Sequence, residues 1–167
     1  MTSKFSLDKI EAFIFDFDGV LTNNLVYIGQ DGQELVSCSR SDGLAFDVLR
    51  KLNKPMLILS TEKSLVVAAR AKKLNIPCVQ GVDDKVEALK KFAINGEYNL
   101  EKILFVGNDI NDSKAMKICG FSVCPSDSHY KIKQIADIVL ESRGGQGVVR
   151  ELVENIFEID LLEILYN

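Results

Sequence analysis

Cysteine is scarce and carries no pattern. The four residues Cys38, Cys78, Cys119 and Cys124 form no CxxC pair. That excludes a zinc ribbon or a disulfide framework and leaves four small apolar thiols of a reducing compartment. Histidine occurs once, and His129 has no His or Cys neighbour at ligand spacing. It therefore reads as a surface or helix-start residue. No Lys/Arg run stands out and the formal net charge is −4. A nucleic-acid or anionic-membrane partner is not expected, and any positive charge at a site must be local. No apolar run approaches the ~20 residues of a membrane helix. Residues 1–12 carry Asp8 and Glu11 and lack the apolar core of a signal peptide. The expected location is the cytoplasm. What is present, 47% hydrophobic and 26% charged residues in a chain of 167, is the make-up of an ordinary globule. No linker, repeat or low-complexity segment interrupts it, so a single domain over 1–167 is expected.

The stretch 13–22, FIFDFDGVLT, organises the rest. An apolar and aromatic run of this kind is a strand buried on both faces. It delivers Asp16 and Asp18 two residues apart, on one side of an extended chain. Paired carboxylates repel unless a cation or proton lies between them, and their oxygens are the hard ligands Mg²⁺ prefers. Gly19 lets the backbone leave the strand. An acidic turn after a strand is the plain alternative.

Two short extended stretches, 25–28 and 34–39, flank the turn-forming GQDGQ and read as a β-hairpin. Such strands are too short to be stable alone. Ser41-Asp42-Gly43 caps a predicted helix from about 44 to 52. A buried strand at 55–61 ends in Ser60 and Thr61. Helix 65–74 follows, then strand 76–79, helix 83–93 with Lys85 in its first turn, and buried strand 102–107. Asn108-Asp109-Ile110-Asn111-Asp112 leads into helix 113–118. Strands at 121–124 and 138–140 come next, and one long amphipathic helix over 148–165 closes the chain. Alternation of this kind predicts an α/β fold, a doubly wound, Rossmann-like parallel sheet. Ligands of such sheets sit outside the carboxyl ends of the strands. The three strongest strands end in Asp16/Asp18, Ser60/Thr61 and Asn108/Asp109/Asp112, which should meet at one edge.

Together these groups can move a phosphoryl group. Asp16 can attack phosphorus, and Asp18 can protonate the leaving alkoxide and then take a proton from water. Ser60 can donate to a phosphoryl oxygen, Lys85 supplies charge, and Mg²⁺ on the carboxylates shields the phosphate. The order DFDGVLT, LILS, GVDDK and GNDIND resembles the four motifs of the haloacid dehalogenase superfamily of phosphohydrolases. The resemblance implies Asp16 as nucleophile, Asp18 as acid/base, Ser60 and Lys85 as phosphate-site residues, and Mg²⁺ as cofactor. Asp16, Asp18 and an acid of the fourth motif hold the metal in that pattern. Here Asn108 occupies that last position, with Asp109 as competitor and Asp112 behind them. Helix capping is the alternative role for Asp109 and Asp112.

The gaps after Thr22 and after Ser60 are too short for a large cap domain, leaving only the hairpin at 25–39. This resembles the cap-less branch that acts on sugar acid phosphates. That branch contains the 3-deoxy-D-manno-octulosonate 8-phosphate phosphatases and relatives acting on nine-carbon sialic-acid-type 9-phosphates. It implies a homotetramer built on packed hairpins. Ser60-Thr61-Glu62-Lys63 stands where octulosonate enzymes have Thr-Gly-Arg, and Glu62 resembles the nine-carbon relatives. On that resemblance Thr61, Glu62, Arg70 and Lys73 bind substrate, an N-acylneuraminate or KDN 9-phosphate. The eight-carbon octulosonate 8-phosphate is the alternative substrate. A non-catalytic oligomerisation domain of a sialic acid activating system is the alternative of another class. A solvated helix face is the alternative for Arg70 and Lys73.

Overall fold

The computed structural model describes residues 5–167. After a short 3₁₀ turn, β1 (Ala12–Phe15) enters the middle of the molecule. Two strands, β2 (Tyr27–Ile28) and β3 (Glu34–Leu35), form the hairpin, and α1 (Ser41–Lys51) leads on to β4 (Met56–Leu59). Next come α2 (Leu65–Leu74), β5 (Cys78–Val79), α3 (Lys85–Gly96), β6 (Ile103–Val106), α4 (Ser113–Ile118) and β7 (Phe121–Cys124). The chain ends with α5 (Tyr130–Ile135), β8 (Ile138–Val139), α6 (Val148–Glu151) and α7 (Leu161–Tyr166).

Six strands form one parallel sheet in the order β5-β4-β1-β6-β7-β8. Each central strand is apolar at every position because both faces are covered. Alternation within the strands then divides the core in two. Phe13, Phe15, Ile58, Leu104, Val106 and Val123 face one layer, packed on α1, α6 and α7. Ala12, Ile14, Leu57, Leu59, Ile103 and Phe105 face the other, with Leu89 of α3, Met116 of α4 and Ile132 of α5. This is the predicted doubly wound architecture. Strand order reverses between β1 and β6, the switch point where such sheets open a crevice at their carboxyl ends. Asp16 follows β1 there and Asn108 follows β6.

Three expectations need correction. Helix α1 starts at Ser41, and Asp42 lies inside its first turn instead of capping it. The buried Asp42 carboxylate instead accepts from the Val149 and Arg150 amides at 2.9 and 3.0 Å, so it caps α6. The segment 148–165 is not one helix. After α6 a π-turn, Leu152–Ile156, widens the coil, and Glu158 takes φ +53°. The chain restarts at α7, whose N-cap Asp160 accepts from Leu162 and Glu163. Both halves face one core, so the apolar period runs through the break unseen. Helix α5 was not predicted; six residues with only Ile132 buried are too few for a period to show. His129 does start it, its Nδ1 accepting from the Lys131 amide.

The hairpin stands apart from the main sheet. Its paired strands are two residues each, shorter than the predicted 25–28 and 34–39. Leu25, Tyr27, Ile28 and Leu35 are each at least 60% exposed. A bridge between Thr22 and Cys38 closes its base.

Candidate active site

Asp16 leaves β1 with its amide still bonded to the Val106 carbonyl, 2.9 Å away. The strand ladder thus carries this carboxylate to the sheet edge. Its Oδ1 accepts from the Phe17 amide at 2.8 Å and lies 2.7 Å from Lys85 Nζ. Lys85 arrives from α3, where Asp84 caps the helix by accepting from the Val86 and Glu87 amides. Its ammonium also donates to Asp112 Oδ1 at 2.6 Å. Asp112 Oδ2 accepts from the Asn108 and Asp109 amides at 2.9 and 3.2 Å, folding the loop after β6 back on itself. One buried cation is therefore shared by two carboxylates from different strand tips.

Burial disfavours the Lys85 ammonium, but the two carboxylates outweigh it and hold its pKa above the ordinary lysine value. Burial first, and the Asp112 charge second, push Asp16 up to about 7 against the pull of Lys85. Asp18 is half-buried. Burial and then the Glu62 charge raise its pKa above the usual carboxylate range. Thr22, fully buried, holds the turn between them: its Oγ1 accepts from the Gly19 amide at 3.1 Å and reaches Asp18 Oδ1 at 3.5 Å.

Gly19 sits at φ +81°, and a Cβ there would lie 1.9 Å from Asn108 Nδ2. The missing side chain is the space the Asn108 amide occupies. Asn108 Oδ1 is buried and has no hydrogen-bond partner. An orphaned carbonyl-type oxygen of this kind calls for an unseen donor or cation. Asp109 is exposed and caps the short turn Ile110–Asp112, its Oδ1 accepting from the Ile110 amide at 2.7 Å. Among the described residues no three His, Cys, Asp or Glu side chains are grouped to hold a metal ion. The available donor set is two carboxylates and a neutral amide oxygen, hard ligands suited to Mg²⁺.

Ser60 is buried beyond β4, and its hydroxyl is engaged by its own loop, accepting from the Glu62 amide at 3.2 Å. Thr61 Oγ1 accepts from Asn111 Nδ2 at 3.4 Å. Glu62 is exposed beside Asp18. Arg70 lies outside this cluster; its Nη2 donates to the Ser39 carbonyl at 2.7 Å, at the hairpin base. Lys73 is exposed on the same helix. Two cavities open at the cluster. One of about 290 Å³ runs from Asp18 to the hairpin; another, about 320 Å³, lies between Thr61, Lys85 and Asn111. A larger cavity of about 770 Å³ sits between Leu44 and the C-terminal break and touches none of these residues.

Sequence reasoning assigned no role to Thr22, Gly144 or Gly145. A Cβ at Gly144 would lie 2.2 Å from the Gly19 carbonyl oxygen, and one at Gly145 would lie 2.6 Å from Thr22 backbone. The Gly144-Gly145 pair is thus a backbone-to-backbone seat for the Asp18 loop. Asn108 and Asp109 were both candidates for a metal; only Asn108 keeps a buried oxygen free of hydrogen bonds.

The haloacid dehalogenase-like hydrolase model matches residues 57–152, more than half of the chain. The chain belongs to the haloacid dehalogenase-like hydrolase family. Within it, a 3-deoxy-D-manno-octulosonate 8-phosphate phosphatase of Salmonella typhi is 33% identical over 88% of this chain and 79% of its own length. The Yersinia pestis enzyme of the same name is 30% identical over 89% and 80%. Among solved structures, a family hydrolase from Streptomyces avermitilis is 41% identical. It covers 94% of this chain and 90% of its own, with TM-score 0.91. The octulosonate 8-phosphate phosphatase of Moraxella catarrhalis, solved with magnesium, phosphate and KDO, is 29% identical. It covers 90% and 87%, with TM-score 0.86.

Proposed function

We propose that this hydrolase is a Mg²⁺-dependent phosphatase of an ulosonate phosphate, working through an aspartyl-phosphate intermediate. The observation that carries the reading is the convergence of Asp16, Lys85 and Asp112 beside an unsatisfied Asn108 oxygen, with Asp18 two residues along the chain from Asp16. Asp16 Oδ2, the oxygen not bonded to Lys85, attacks phosphorus in line with the ester oxygen. Asp18, whose raised pKa favours a proton, gives that proton to the departing alkoxide. It then takes one from the water that cleaves the acyl phosphate, and Asp16 is restored. Lys85 fixes Asp16 and supplies charge toward the phosphoryl oxygens, while Asp112 holds Lys85 in place. Asp16 and Asn108 would hold Mg²⁺ together with the Asp18 backbone carbonyl, which leaves the Asp18 carboxyl free to carry its proton; the ion would supply positive charge that favours the Asp16 carboxylate and shields the phosphate from it. Ser60 and backbone amides of its loop complete the phosphate seat.

The eight-carbon octulosonate 8-phosphate is the substrate that the named relatives favour. None of them supports the nine-carbon expectation, which rests on Glu62 standing in Ser60-Thr61-Glu62-Lys63, with Arg70 and Lys73 behind it. Specificity constants on the two esters with Mg²⁺ decide. A tenfold or greater preference for either assigns the substrate, and hydrolysis of neither overturns the reading. The retained Asp16, Asp18 and Lys85 speak against a non-catalytic oligomerisation domain. We also infer a homotetramer packed through the hairpins, whose exposed Tyr27, Ile28 and Leu35 favour burial against copies of themselves. Sedimentation velocity tests that inference.

A further inference from the structure

The loop after β7, residues 125–129, touches both sides of the cluster at the sheet edge. On one side the His129 amide donates to the Asn108 backbone carbonyl at 2.9 Å. On the other the Gly144 amide donates to Asp127 Oδ1, also at 2.9 Å. Gly144 is the residue with no room for a Cβ, which would lie 2.2 Å from the Gly19 carbonyl oxygen. The Gly145 amide in turn donates to the Val20 carbonyl at 2.9 Å. A path of bonds and close contacts therefore runs from the Asn108 backbone, through this loop and Gly144-Gly145, to the turn that follows Asp18. Asp127 supplies its one side-chain link; every other link is backbone. A backbone bond from the Ser126 amide to the Ser142 carbonyl, 3.0 Å long, ties the same two loops together but stops short of Gly144.

We propose that Asp127 is a positioning residue for the divalent cation: it holds the turn after Asp18 at a fixed place relative to Asn108, and so sets the gap the ion bridges. Asp127 acts through Gly144 and is not itself a ligand. An amide bonded to a carboxylate makes a charge-assisted bond, stronger than an amide–carbonyl one. Mg²⁺ demands near-ideal octahedral geometry, so a small shift of one oxygen weakens its binding. The Arg143 guanidinium lies 3.4 Å from the other Asp127 oxygen, but it is 66% exposed, and a surface pair of this kind contributes little. The inference rests on the metal site of the phosphatase reading above.

Mn²⁺ is the probe, since it takes the same oxygen ligands and its free-ion paramagnetic resonance signal disappears on binding. Asp127→Ala should weaken Mn²⁺ binding by about tenfold or more, the usual effect of losing a group that orients metal ligands. Asp127→Asn keeps an oxygen for the Gly144 amide and should bind almost as the wild-type chain does. Arg143→Ala should bind as wild type. If Asp127→Ala does not fold, Asp127→Ser replaces it, because the serine oxygen ends one bond short of Gly144 and should give the same loss. Wild-type affinity in the alanine or serine variant, or an asparagine variant as weak as alanine, overturns the positioning role and leaves the phosphatase reading standing. A wild-type chain that binds no Mn²⁺ also overturns it, and if that chain hydrolyses no ulosonate phosphate either, the phosphatase reading falls with it.

Discussion

Lys85 and Asp112 form an ion pair of 2.6 Å in which neither side chain reaches solvent beyond 2%. The pair joins the first turn of α3 to the loop after β6, and Asp16 closes it from a third element. Lys85→Met would leave two buried carboxylates facing each other without a cation. Breaking a buried pair in this way costs about 3–5 kcal/mol. The loss should be larger at pH 8 than at pH 5, where Asp16 can take up a proton instead. Urea melts at the two pH values check this, and turnover should fall at least a thousandfold.

Asp16→Asn tests the nucleophile. Turnover should vanish while the melting temperature holds or rises, because burial already disfavours the charged side chain. A variant with wild-type activity would end the proposed mechanism.

Asn108 offers the metal a neutral oxygen. Asn108→Asp should lower the Mg²⁺ concentration for half-maximal activity about tenfold, since a carboxylate adds a full charge to the same position. Asn108→Leu should raise it by as much or more. Titration of activity with Mg²⁺ after chelator treatment reads both, and chelation itself should silence the wild-type chain.

Gly144→Ala drives a Cβ into the Gly19 carbonyl. Backbone has nowhere to yield there, so the variant should lose about 2–3 kcal/mol of stability, in the range of strained or overpacked sites. Gly32→Ala, in the open hairpin turn, meets no atom within 4 Å. It bears only the cost of its positive φ, a smaller loss.

Asp42 gives a pH signature away from the reacting groups. Burial, opposed by the Arg150 and Val149 amides, raises its pKa to about 6. The folded chain thus holds a proton that the unfolded chain has released between about pH 4 and 6. The corresponding stability is fully present below pH 4 and is lost as pH rises through 6, by up to about 3 kcal/mol. Asp42→Asn keeps a capping oxygen without the charge. Its stability relative to wild type should therefore improve from pH 4 to pH 7 in parallel denaturation curves.

Residues that report on themselves were legible in the sequence. Continuous apolar runs ending in carboxylates or hydroxyls placed β1, β4 and β6, and the sheet brought their tips together as parallel strands must. Lys85 in the first turn of a capped helix was equally readable. Long-range partnerships were not. Asp42 looks like a local cap because Ser-Asp-Gly precedes an apolar period, yet it serves a helix over a hundred residues away. Glu158 carries no mark of a left-handed break, and the apolar faces on either side of it match. The Asp160 cap, three residues before Glu163, was the one available signal there.

Thr22 occupies two structures at once. Its backbone closes the hairpin through Cys38, and its hydroxyl holds the turn that carries Asp18. The arm and the turn that carries Asp18 are thus anchored on the same buried side chain, so a change at Thr22 disturbs both at once.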